Sequence, residues 1–202
     1  MVGRKKWNLD GSDGFNSYWH DFRKVLTCVY LNRRDLIKDP RYFSKRNFGG
    51  GTLMTWAAFS SYGKAQIVFP STRMNSEEYQ EMLDASLIPF LEEHDEIPHI
   101  FQQDNAPIHN SASTRAWLTA QNITVIEWPA CSPDINVIEN VWGILARRVY
   151  ANNRQFQNIK ELRTAITKCW GEIDMNLLKK LIDSVPNRLF QVINRNGGST
   201  DY

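Results

Sequence analysis

Cysteine is scarce in this sequence, and the scarcity excludes a good deal. Three cysteines stand in 202 residues, at Cys28, Cys131 and Cys169, far apart and outside any CxxC or Cys/His ligand spacing. They make neither a disulfide framework nor a zinc cage and read as reduced thiols of an intracellular protein. Long hydrophobic runs are missing too. None approaches the ~18–20 residues that span a bilayer, so no membrane partner is expected. The N-terminus is basic but has no apolar core segment, so no secretory signal is expected. Neither sign of charge dominates, with 24 Lys and Arg against 22 Asp and Glu. The net charge of +2 permits an anionic partner and is far from a nucleic-acid fingerprint. Repeats, low-complexity segments and linkers are absent, so residues 1–202 read as one domain.

What is present argues for a packed core: 42% apolar residues and seven tryptophans. Asp10-Gly11 and Asp13-Gly14 supply turn residues between 7–9 and 18–22, which predicts a hairpin. "FGGGTLMTWAAFSSYG" places a glycine cluster before a strand at about 52–60, and "KAQIVFP" predicts a second strand at 64–70. "SEEYQEMLDASLIPFLEEH" predicts a helix capped by Ser76, with Tyr79, Met82, Leu83, Leu87 and Phe90 as its apolar stripe. A short strand in "PHIFQQDNAPIH" precedes a helix over 111–121 and a β-branched strand in "ITVIEWP". Helices follow over 133–150, 157–171 and 174–185, the last broken by Pro186. This order predicts an α/β fold with a mixed sheet.

Two carboxylates stand out by position. Asp104 ends a strand, just before Asn105-Ala106-Pro107, and strand ends are where open α/β sheets bind ligands. Glu139 lies in "CSPDINVIENVW", where Ser132 is the expected N-cap and Pro133 the first helical residue. That register puts Glu139 two turns into the helix, beside a buried stripe of Ile138, Val141 and Leu145. Taken singly, each acid has an ordinary reading, as a turn former and as a solvated surface residue.

Together they carry more. "QQDNAPIH" and "SPDINVIENVWG", with 34 residues between Asp104 and Glu139, resemble the catalytic core of Tc/mariner-type transposases. "KKWNLDGSDG", "YWHDFRK", "GGGTLMTWAAFS" and the closing "SVPNRLFQVINRNGGSTDY" resemble further blocks of that family, in its order. Val137 stands where many relatives have proline. The resemblance implies an RNase H-like mixed sheet flanked by helices. It also implies a DDE site in which carboxylates hold Mg²⁺ or Mn²⁺ for phosphodiester cleavage and strand transfer, with transposon DNA as partner. Asp104 and Glu139 would be catalytic and metal-binding, and His109 would help position DNA. A nuclear location and a homodimer belong to the same expectation. Arg147 and Arg148 are candidate phosphate contacts, as are the pairs at 33–34 and 45–46.

The first acid of the family's set is missing. Relatives have Asp-Glu-Lys-Lys-aromatic-Asn where this chain has Gly3-Arg4-Lys5-Lys6-Trp7-Asn8. Asp10 cannot substitute, since seven extended residues span roughly 23 Å. The sequence thus predicts a central first strand reduced to a stub at about 5–9, helix-turn-helix units absent, weak metal binding and no catalysis. The alternative expectation is a co-opted, non-catalytic module that binds DNA or protein.

Overall fold

Strand β1, Val2–Asn8, is the spine of the fold, and its two faces look into two different cores. The computed structural model describes residues 1–9, 11, 51–129, 132–198 and 200–201. The expected partner strand at 18–22 and the basic pairs at 33–34 and 45–46 lie outside them, as do Cys28 and Cys131. β1 pairs antiparallel with β2, Thr52–Ala58, from Val2 opposite Ala58 to Asn8 opposite Thr52. The strand is therefore not confined to 5–9: Gly3 and Arg4 are inside it and paired.

Bridges widen this sheet. Trp56 pairs with Val68 and Phe59 with Lys64 beyond β2. On the other side, the Val2 N–H donates to the Gln102 carbonyl at 3.1 Å, and Phe101 pairs parallel with Val125. The first strand is thus central, with antiparallel neighbours on one side and a parallel pair on the other. The predicted strands at 64–70, around Phe101 and around Val125 are present as bridges rather than long ladders.

Strand alternation sorts the side chains. Trp7, Leu53 and Ala57 pack with Val137, Ile138, Val141, Trp142 and Leu145 in one core, while Val2, Trp56 and Ala58 pack with Tyr79, Leu83, Leu87 and Leu118 in the other. Each fully buried aliphatic or aromatic side chain contributes about 1.5–3 kcal/mol. Among the described residues, six α-helices pack around the sheet: α1 (Ser76–Glu92), α2 (Ala112–Ala120), α3 (Ile138–Val149), α4 (Ile159–Gly171), α5 (Met175–Asp183) and α6 (Val185–Asn194).

Three helix starts carry lessons. The cap of α1 is Asn75 rather than Ser76, because Asn75 has Glu78 three residues on and the two make a reciprocal capping box. Helix α3 starts at Ile138, after a turn over 133–135, so neither Ser132 nor Pro133 opens it and Glu139 sits in its first turn. Pro186 lies in the first turn of α6, where its missing N–H is harmless, so it opens a helix as well as closing one.

Candidate active site

Asp104 follows the central parallel bridge, and its carboxylate is oriented by what comes next in the chain. The Ala106 N–H donates to Oδ1 at 3.1 Å, and His109 Nδ1 lies 2.6 Å from the same oxygen. Both contacts favour the charged form, so His109 first, and then the backbone and Arg4, hold the carboxyl below the usual carboxylate range against a smaller opposing effect of burial. The His109 ring is only 2% exposed and is stacked on Tyr79 at 4.4 Å between centroids. Tyr79 in turn donates its hydroxyl to Gln103 Oε1 at 2.8 Å. Burial pushes the Tyr79 phenol far up, so the hydroxyl stays protonated. A ring sealed in this way faces Asp104, not the surface where a phosphate would lie.

Glu139 comes from the other side. Its place in the first turn of α3 puts its charge at the positive end of the helix. Desolvation is the largest influence on it and raises its pKa, Lys5 opposes this, and the charge of Asp104 raises it further. Glu139 and Asp104 are therefore close enough to repel one another. The fold brings together the two acids that the sequence singled out.

Gly3 lies on β1 against the start of α3. A Cβ on residue 3 would meet Ile138 Cγ2 at 2.7 Å, Ile138 Cγ1 at 3.1 Å and Trp142 Nε1 at 3.2 Å. Position 3 thus faces the first turns of α3, where Ile138 precedes Glu139. The strand's alternation sends Arg4 the other way, where its charge acts on Asp104 and Tyr79, while Lys5 acts on Glu139. Two cations therefore attend two acids. Among the described residues, no group of three or more His, Cys, Asp or Glu could hold a metal ion. Oδ1 of Asp104 is already engaged twice, and position 3 holds glycine and is hemmed in by Ile138. Among the described residues, Asp104 and Glu139 are two carboxylate donors without a third beside them.

Arg147 and Arg148 are not brought to the acids. They are exposed in the last turn of α3, with Arg148 donating to the Glu172 carbonyl at 3.2 Å. Sequence reasoning missed Arg188, which is 1% exposed on α6. Its Nη1 donates to the Asp134 carbonyl at 2.7 Å and to Asn140 Oδ1 at 2.9 Å, and Nε donates to Ser184 Oγ at 3.0 Å. The Thr200 N–H donates to Asp134 Oδ2 at 3.1 Å. The C-terminal segment thereby fixes the turn that launches Glu139. Its only signal in the sequence was an arginine on an otherwise apolar helix face.

Known proteins resemble this chain in sequence and in fold. The family model described as DDE superfamily endonuclease matches residues 17–163. The Tc3 transposase of Caenorhabditis elegans is 43% identical over 198 residues, covering 98% of this chain and 56% of the relative. The Mos1 transposase paired-end complex with left transposon end superposes with a TM-score of 0.75 at 16% identity, over 98% of this chain and 55% of that one. The Mos1 catalytic domain solved with Raltegravir and Mn gives a TM-score of 0.64 at 20% identity, over 74% of this chain and 78% of that one. The chain thus spans a little over half the length of Tc3 transposase. Its RNase H-like fold, its paired acids and these matches together assign the chain to the DDE superfamily of endonucleases, as a Tc/mariner-type transposase catalytic domain.

Proposed function

We propose that this chain is a DNA-associating transposase domain that does not cleave DNA by itself. The observation that carries the reading is Gly3, which faces α3 beside Glu139 with no carboxylate to offer. Asp104 and Glu139 are the remaining catalytic-type acids, and they have Arg4 and Lys5 as neighbours. Mos1 has been solved with Mn and with Mg, which supports divalent metals as the cofactor of the family's chemistry. Here two acids with two cations beside them make that binding weak. His109 serves Asp104, and Asp104 is held ionised.

DNA is the partner that the family suggests. Arg147, Arg148, Arg154, Lys160 and Lys168 are exposed at the end of α3, in the segment after it and along α4, and a face of this kind suits phosphate contact without sequence readout. The neighbouring cations Arg4 and Lys5 also favour a second reading, a co-opted module that binds DNA without metal. Nuclear location and a homodimer follow from the transposase reading as a whole, not from any single residue.

The test is calorimetric titration with Mn²⁺, together with duplex binding in EDTA. DNA binding that persists in EDTA, with Mn²⁺ bound no better than by Asp104→Asn, is the expected outcome. Tight Mn²⁺ binding lost in Asp104→Asn would overturn the reading. So would the absence of any DNA binding at low salt.

A further inference from the structure

Three tryptophans meet in the core under β1. Trp142 lies 6.4 Å from Trp7, edge to face, and 6.3 Å from Trp170, stacked. Two of the three have their indole N–H groups satisfied: Trp7 donates to Thr55 Oγ1 at 2.8 Å and Trp170 to the Ala65 carbonyl at 3.0 Å. Trp142 is 0% exposed, and its Nε1 finds no acceptor among the described residues. A donor left unmade in a dry core is costly, and native structures keep few of them.

The orphan has a near neighbour on β1. Its Nε1 lies 3.2 Å from where a Cβ on residue 3 would be. No water fits at that point, because Ile138 Cγ2 would stand 2.7 Å from the same atom. Donor, strand position and helix thus converge on the one residue of β1 that has no side chain.

We propose that Trp142 is a positioning residue for the side chain at position 3. Its indole N–H is the donor of a hydrogen bond whose acceptor belongs on residue 3 and which glycine has removed. Ile138 has settled into the space. The inference deepens the reading that the first acid is missing and rests on it. It adds that the surroundings still hold the missing group's partner, so the slot is one for an acceptor, not a generic gap. Trp142 would act through that acceptor, fixing its rotamer on the side facing Glu139.

The test compares Gly3→Asp with Gly3→Ala, each in the full chain labelled with ¹⁵N at the tryptophan indoles. Trp142→Phe assigns the resonance. Both variants must displace Ile138 to admit a Cβ, so that part of the steric cost is shared, and the indole N–H signal is what reports the acceptor. In Gly3→Asp the Trp142 indole N–H is expected to move downfield and to exchange about tenfold more slowly than in Gly3→Ala, the effect of one net hydrogen bond. Equal shifts and equal exchange in the two variants would overturn the proposal. So would a Gly3→Asp chain that fails to fold while Gly3→Ala folds, or failure of both, since a slot made for a side chain accepts the smallest one. The catalytic silence of the unsubstituted chain is measured separately. DNA cleavage by that chain would sink the silent reading without touching the Trp142 result.

Discussion

His109 and Asp104 form a closed pair, with Nδ1 2.6 Å from Oδ1 and the imidazole ring sealed under Tyr79. The ring is buried while the carboxylate is exposed, so His109 can orient Asp104 without covering it. His109→Ala should destabilise the domain by about 1–3 kcal/mol, the cost of removing one partner from a buried polar arrangement. Urea unfolding measures this. His109→Phe should keep the stacking with Tyr79 and still free Asp104, so a variant as stable as the parent would show that the hydrogen bond contributes nothing.

Tyr79→Phe removes the hydroxyl that donates to Gln103 at 2.8 Å. The expected loss is about 1 kcal/mol, with the fold otherwise intact. The buried phenol should also resist ionisation until the domain opens. Absorbance near the phenolate band should therefore report Tyr79 only when alkaline unfolding occurs, in a single step with the loss of circular dichroism.

Arg188 ties α6 to the turn that precedes Glu139 through the Asp134 carbonyl and Asn140. Arg188→Ala should cost about 1.5–3 kcal/mol, the range for hydrogen bonds to a charged group. Arg188→Lys should recover only part, since one ammonium cannot reproduce the planar fork. Hydrogen exchange at amides 136–142 should quicken more than at α1, which locates the damage at the start of α3.

Cys169 carries a pH prediction. Burial, and then Glu172, push its thiol up from the ordinary value. A thiol whose pKa is raised on folding contributes stability below its unfolded pKa and loses it as pH rises through the folded one. Stability should therefore fall on the alkaline side of about pH 8.5, and Cys169→Ser should flatten that decline. Peptide mapping after alkylation should find Cys169 labelled more slowly in the folded chain than in urea.

The cations at the end of α3 and along α4 give a prediction about DNA. Replacing Arg147, Arg148 and Lys168 with Gln should weaken duplex binding for all sequences alike. The salt slope should fall by about 1 for each phosphate contact removed. Unchanged affinity and slope would place the contact surface elsewhere.

Much of the site was legible because its signals are local. Asp104 before Asn-Ala-Pro and Glu139 beside a helical stripe read directly from the chain, while the 34-residue interval and the glycine at position 3 stood out only against the family resemblance. The register of α3 did not, since Ser132-Pro133-Asp134 has the composition of a helix start. Asp134 instead engages Arg188 and Thr200, which lie 54 and 66 residues away, and those bonds hold 133–135 as a turn. The cap of α1 was missed for a smaller reason: Asn75 and Ser76 are both good caps, and Glu78 at the third position decides for Asn75. The burial of His109 needed the tertiary partner Tyr79, 30 residues earlier. Trp142 reads in the sequence as one more core aromatic, and only the strand opposite shows that its N–H lacks an acceptor.

The central claim is that Asp104 and Glu139, without a carboxylate at position 3, do not cleave DNA. Incubation of the purified chain with supercoiled plasmid in Mg²⁺ and in Mn²⁺, beside an EDTA control, tests it most directly. The account predicts no nicking above the EDTA control in either metal. Metal-dependent nicking that disappears in Asp104→Asn or Glu139→Gln would contradict it.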